Sequence, residues 1–273
     1  MSVPRWYLWE GGFLLTARAQ GRVPTHAHHA IQIVMALDGQ VALATPADGW
    51  RTSAGFIVRP DAEHAFDCNG ALGVLLFVDP ESAEGAWLAA GLHADVTAIA
   101  ETRLHAVLPE LRPFVDQPDD VEDVAAVISR CLHGLGPGLA PTRRFDSRIS
   151  TVIEAIRAST DLRISLEQAA GMACLSPTRF AHLFKEQVSL PFSRYMLWRK
   201  LTRAMVAIAS AETIAAAAHA ADFADAAHLT RTFYQMIGMA PSVLMRGQFI
   251  EIESPFSQPP TNASGRASSR PVK

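Results

Sequence analysis

Apolar and polar positions follow two regimes along the 273 residues. Up to about residue 80 the apolar residues come in short β-rich runs cut by turn signals. Ile31–Ala36 is one such run and is stopped by Asp38-Gly39; Val41–Thr45 follows before Pro46-Ala47-Asp48-Gly49 turns the chain again. Phe56–Val58 and Leu72–Val78 repeat the pattern. Frequent turns between short strands predict a sandwich or small barrel. Asp79-Pro80 closes that region. Helical spacing then predicts Glu81–Gly91, Ala98–Val107 and Val121–Leu132, the last with Val121, Val124, Ala125, Ile128 and Leu132 on one stripe. That stripe would pack against a second copy of the chain or cover the barrel.

Gly and Pro in GLGPGLAP (Gly134–Pro141) interrupt both periods and mark a linker. The expected division is a first domain 1–133, a linker 134–144, a helical domain 145–250 and a disordered Ser/Pro-rich tail 251–273. The fold class is α+β and multidomain.

The helical domain carries strong end signals. Ser165-Leu166-Glu167-Gln168 is a capping box, Ser176-Pro177 pairs an N-cap with proline at the first helical position, and Asp225 caps a later helix that Gly238 ends. Two segments share one layout of short helix, tight turn and capped second helix: Leu166–Val188 and Ile214–Ile237. A helix from Pro191 to Ala209 joins them. A helix-turn-helix places the second helix in the major groove, so that helix must keep one face apolar and the other free. Thr178, Arg179, His182 and Lys185 lie away from Phe180 and Phe184, and His228, Thr230, Arg231 and Gln235 avoid Leu229 and Phe233. Arg199, Lys200 and Arg203 on the joining helix are expected to meet phosphates.

The formal net charge of −3 alone argues against a polyanionic partner. Its distribution reverses that: residues 1–142 carry 8 Lys+Arg against 17 Asp+Glu, and residues 143–249 carry 13 against 8. The three scattered cysteines imply no disulfide framework, and no long uncharged apolar run or signal-peptide pattern occurs, so a cytoplasmic protein is expected.

At these residues the chain resembles the AraC/XylS family of bacterial transcription regulators. LEQAAGMACLSPTRFAHLFKEQVSLPFSRYMLWRKLTRA is similar to that family's first unit and linker helix. The second unit shows the family's spacing at Phe223, His228, Arg231, Phe233, Gly238 and Pro241. Asp222 and Ser189 stand where the family usually has Gly, and Ala226 and Ala227 where longer polar residues make contacts. The expectation is an asymmetric reader, with Thr178, Arg179 and His182 carrying more of the specificity.

In the first half, Gly21-x4-His26-x-His28-x3-Gln32-x6-Gly39 and Gly55-x4-Pro60-x3-His64 are similar to the two cupin motifs. Histidines at i and i+2 on a strand share a face, and a third from a neighbouring strand completes a three-nitrogen site for Zn, Ni, Cu or Fe. His26, His28 and His64 are the candidates, with Gln32 or Cys68 nearby; Gln32 replaces the acid that metal-binding cupins supply. The same residues would otherwise line an organic-ligand pocket or bond within the barrel. His29 is expected on the opposite, solvent face, and Cys68 equally suits a small buried residue. The resemblance implies a non-enzymatic regulator whose partners are promoter DNA, a small-molecule or metal effector, a possible second copy, and RNA polymerase if it activates. The alternative is a metal-dependent cupin enzyme with an appended helical domain.

Overall fold

The computed structural model describes residues 4–18, 21–121, 123–136, 145–211 and 213–255. The strands are β1 (Arg5–Trp9), β2 (Gly12–Arg18), β3 (Arg22–His26), β4 (Ile31–Ala36), β5 (Val41–Thr45), β6 (Gly49–Ser53), β7 (Gly55–Val58), β8 (His64–Asp67), β9 (Leu72–Val78), β10 (Val96–Ala98) and β11 (Gln248–Glu251). They form a large sheet in the order β10-β7-β4-β9-β2-β1-β11 and a small one in the order β3-β8-β5-β6. The cupin-like barrel is thus present as two facing sheets that do not close.

The large sheet is buried on both faces, which is why β9 reads as an apolar run and β4 is apolar apart from Gln32. One face, with Tyr7, Leu14, Ile33 and Leu76, lies under the helices α1 (Ala83–Ala89), α2 (Glu101–Leu111), α3 (Pro113–Asp116) and α4 (Val124–Leu135). Val127, Ile128, Cys131, Leu132 and Leu135 of α4 join this core, so the α4 stripe covers the sandwich. The dimerising role suggested for it loses its main support. The last turn of α4 also takes in Gly134 and Leu135, which the linker had been expected to include. The linker's residues 137–144 lie outside the described residues.

The other face, with Phe13, Val34, Leu75 and Phe77, looks toward the small sheet and shares a core with the second half of the chain. That half comprises α5 (Ser147–Ala158), α6 (Leu166–Met172), α7 (Pro177–Val188), α8 (Phe192–Ser210), α9 (Ile214–Ala220) and α10 (Ala226–Ile237), then a 3-10 turn, Pro241–Arg246. Leu201, Leu229, Phe233, Met236 and Leu244 belong to the sheet-facing core. The first unit instead encloses its own core of Ile149, Ile156, Phe180, Phe184 and Tyr195.

A correction concerns the tail. Residues 248–251 form β11, parallel to β1, and Trp6 stacks on Phe249 at 6.0 Å. The expected disordered segment from 251 therefore begins within a strand of the first domain's sheet; residues 256–273 lie outside the described residues.

Candidate nucleic-acid interface and buried histidine cluster

The two helical units repeat each other at their turns and at both ends of their second helices. In the first turn the amide of Leu175 donates to Ala170 O at 2.9 Å, and Cys174 is left-handed at φ 52°. In the second, Phe223 donates to Ala218 O at 2.9 Å, and Asp222 is left-handed at φ 59°. The helix ends repeat too: Ser189 (φ 67°) donates to Lys185 O and Gly238 (φ 76°) to Tyr234 O. Ser176 caps α7 through the amide of Arg179, and Asp225 caps α10 through that of His228. The capping box forms as well: Ser165 Oγ accepts from the Gln168 amide, and Gln168 Oε1 accepts from the Ser165 amide.

Both second helices leave their polar face in solvent. Thr178, Arg179, His182 and Lys185 are exposed on α7, and Thr230, Arg231 and Gln235 on α10. His228 is half-buried with its ring edge-on to Phe223 at 5.1 Å. A groove of about 690 Å³ runs between the helices. Its lining includes Arg163, Lys185 and Lys200 with the imidazoles of His182 and His228, and no acid is among the lining residues. Such a surface suits a phosphate backbone.

The phosphate role expected for the joining helix needs correction. Arg199 Nη1 is held by Asp79 Oδ2 at 3.0 Å in a largely buried pair. Arg203 donates to the carbonyls of Ser159 and Thr160, and Lys200 to that of Asp222 at 3.0 Å. These cations hold loops and the first domain because α8 lies between the sandwich and the units. Asp222 has a matching structural role. Its Oδ2 accepts from the Leu162 amide at 3.0 Å, so the turn of the second unit is tied to the first.

His26, His28 and His64 come together, each buried, with one ring nitrogen of each within 4.8 Å of the others. Register places His26 opposite His64 across β3 and β8, and His28 enters from the loop before β4. Each Nδ1 donates to a carbonyl two residues away: His26 to Pro24 at 2.8 Å, His28 to Ala30 at 3.0 Å and His64 to Ala62 at 2.9 Å. The Nε2 lone pairs are thereby left free, the arrangement that orients metal-binding imidazoles. Burial disfavours the protonated rings. It lowers His26, holds His28 well below its usual range with help from His64 and His26, and brings His64 down to about 4 with help from His26.

Gln32 Oε1 lies 2.8 Å from Nε2 of both His28 and His64, whereas His26 Nε2 and Gln32 Nε2 are buried without a partner. An oxygen facing two lone pairs repels unless a cation sits between them or the amide turns to donate. Two ligands at right angles, each about 2.0–2.1 Å from a metal, stand about 2.9 Å apart. Gln32 Oε1, His28 and His64 therefore have the spacing of neighbouring ligands to a divalent transition-metal ion, and a ring nitrogen of His26 lies within 4.8 Å of those of the other two histidines. Cys68 does not join them. A strand rises about 3.3 Å per residue, so four residues carry Cys68 about 13 Å beyond His64. Its sulfur packs near Gly73, and burial pushes the thiol up to about 11.

His29 corrects a second expectation. It is buried, 2.8 Å from Glu81 and 3.0 Å from Asp61, with Tyr195 of α8 edge-on to its ring. Burial opposes its charge, but the two carboxylates prevail and push it up to about 10. It belongs to an interface between the two halves that the sequence did not announce. There Asp79 accepts from Trp198 Nε1 at 2.9 Å as well as from Arg199. Arg157 of α5 faces the same acids with Nε and Nη2 buried and unpartnered. It borders a cavity of about 360 Å³ walled by Trp9, Phe13, Phe77, Trp198 and Met205.

Residues 169–247 match the model of a helix-turn-helix domain family. The C-terminal half carries an AraC-type DNA-binding domain. No curated protein matches the chain at a significant level. Among solved structures, the chain is similar over 86% of its length to 99% of ToxT from Vibrio cholerae, at 10% identity and a TM-score of 0.55. The apo form of a ToxT point variant from strain SCE256 of that organism gives 12% identity and a TM-score of 0.57, covering 85% of this chain and 97% of that one. Wild-type ToxT bound to an unsaturated fatty acid gives 13% and 0.52, covering 86% and 94%. At these identities the likeness is one of fold: a sheet-rich domain followed by the AraC-type domain. No helix among the described residues is long and apolar enough to cross a membrane.

Proposed function

We propose that this chain regulates transcription by binding promoter DNA through α7 and α10 under the control of an effector held by the sheet-rich domain. The duplicated units carry the DNA reading, since each leaves a polar face exposed on the helix that a helix-turn-helix inserts in the groove. Thr178, Arg179, His182 and Lys185 would read or clamp one half-site. His228, Thr230 and Arg231 would hold the other, where Ala226 and Ala227 limit contact to apolar touch, such as a thymine methyl.

The effector favoured by the histidine cluster is a divalent transition-metal ion, held by Nε2 of His26, His28 and His64 with Gln32 Oε1. When bound, such an ion would supply a fixed charge and rigid geometry. The cluster faces the DNA-binding half, with Trp198 6.3 Å from His28, which suits sensing better than access for a substrate. Elemental analysis of the purified chain, with DNA affinity measured before and after chelation, tests this. Stoichiometric metal and a chelator-dependent affinity support it, and neither being seen refutes it.

Arg157 favours a second effector. An organic carboxylate with an apolar body would satisfy its guanidinium and fill the aromatic-walled cavity; the similar ToxT structures include one with an unsaturated fatty acid. Comparing an alkyl carboxylate with the alcohol of the same skeleton in a thermal-shift assay separates recognition by Arg157 from partition into the cavity.

A further inference from the structure

The second reading helix ends on the histidine cluster. Gly238 closes α10, and a methyl group on its Cα would fall 2.4 Å from Val23 Cγ1 and 2.9 Å from His26 Nδ1. The helix end therefore touches β3 at the place where its pairing with β8 slips between Val23 and His26. His26 is also the least satisfied of the three imidazoles, because His28 and His64 engage Gln32 while His26 Nε2 is buried without a partner. An ion completing the cluster must draw on that nitrogen. The end of the first unit's second helix is placed differently: Ser189, the counterpart of Gly238, is exposed and packs against none of the three imidazoles among the contacts of the described residues.

We propose that metal occupancy is transmitted to DNA through His26, whose ring is both a ligand and the support for the C-terminal end of α10. This rests on the metal reading above. Binding fixes His26 and the irregular end of β3, and through Val23 and Gly238 it fixes α10 relative to α7. The effector thus acts on one half-site reader. Because Gly238 packs with no room for a side chain, a small shift of His26 passes to the helix and is not absorbed by a flexible group.

Hydrogen–deuterium exchange of the full chain with and without Zn(II) tests the proposal. Peptides from β3 and β8 report occupancy, the end of α10 reports coupling, and the end of α7 is the control. Zn(II) is expected to slow exchange several-fold in β3, β8 and α10 but not in α7. Val23→Ala, which leaves every ligand in place, is expected to keep the β3 and β8 effect and lose that in α10. Protection of β3 and β8 with α10 unchanged, α7 protected equally, or full α10 protection in Val23→Ala would overturn the coupling while leaving the metal site standing. Absence of bound Zn(II) would overturn the metal reading and this proposal together.

Discussion

Asp79→Ala isolates what joins the two halves. The carboxylate is 4% exposed and holds both the Trp198 indole N–H and the Arg199 guanidinium, 119 and 120 residues away. Alanine leaves the backbone bond from Asp79 N to Gly11 O in place, so the loss comes from the side chain. Removing one partner of a buried ion pair costs about 3–5 kcal/mol. The Arg199 side chain keeps 14% exposure, so the lower end, about 3 kcal/mol, is expected. At roughly 2–4 °C per kcal/mol for a chain of this size class, Tm falls by about 6–12 °C. The assay is calorimetry on Asp79→Ala, Arg199→Met and the double variant. If the pair is the cause, the double variant is less destabilised than the sum of the singles by about 1 kcal/mol or more. A loss below about 0.5 kcal/mol, the usual range for an unremarkable surface change, or strict additivity would refute the interface as described.

Arg231→Ala is expected to weaken DNA binding by about 1–3 kcal/mol and relax preference at one base if Arg231 reads an edge, or uniformly with a shallower salt slope if it meets phosphate; unchanged affinity removes it from the interface. Asp222→Gly keeps the left-handed turn but cuts the tie to Leu162, so binding to a two-half-site duplex should fall more than binding to either half-site alone. The His29 pKa is raised in the fold, so its stabilisation is complete below its ordinary value near 6.5 and is lost as pH rises through about 10. Comparing denaturant midpoints of the native chain and His29→Gln across that window should show the gap close at high pH, and a constant gap contradicts the pairing with Glu81 and Asp61.

What was legible in the chain was local. Ser165 with Gln168, Ser176-Pro177, Asp225 and Gly238 each specify a helix end within a few residues, so the duplicated units could be read directly. The histidine motif was legible from its spacing, although only His26 and His64 meet by strand pairing and His28 comes in from the loop before β4. Strand alternation misled at His29, which sits in that same loop and meets Asp61 and Glu81 from 32 and 52 positions away. Arg199 and Arg203 occupy a helix face that patterning assigns to solvent, and the sandwich and the α5–α6 loop cover it. β11 is short, and its parallel partner lies at the other end of the chain, a pairing no local signal encodes. The α4 stripe was ambiguous because an apolar face does not state whether its cover lies in the same chain.

The central claim is that α7 and α10 are two unequal readers of one DNA site. Selection from a random duplex pool, repeated with Arg179→Ala/His182→Ala and with Arg231→Ala, tests it most directly. The account predicts a bipartite motif with half-sites about one helical turn, 10–10.5 base pairs, apart. The α7 variant should erase the more informative half and Arg231→Ala erode the other. A motif without two halves, or one unchanged by both variants, would contradict it.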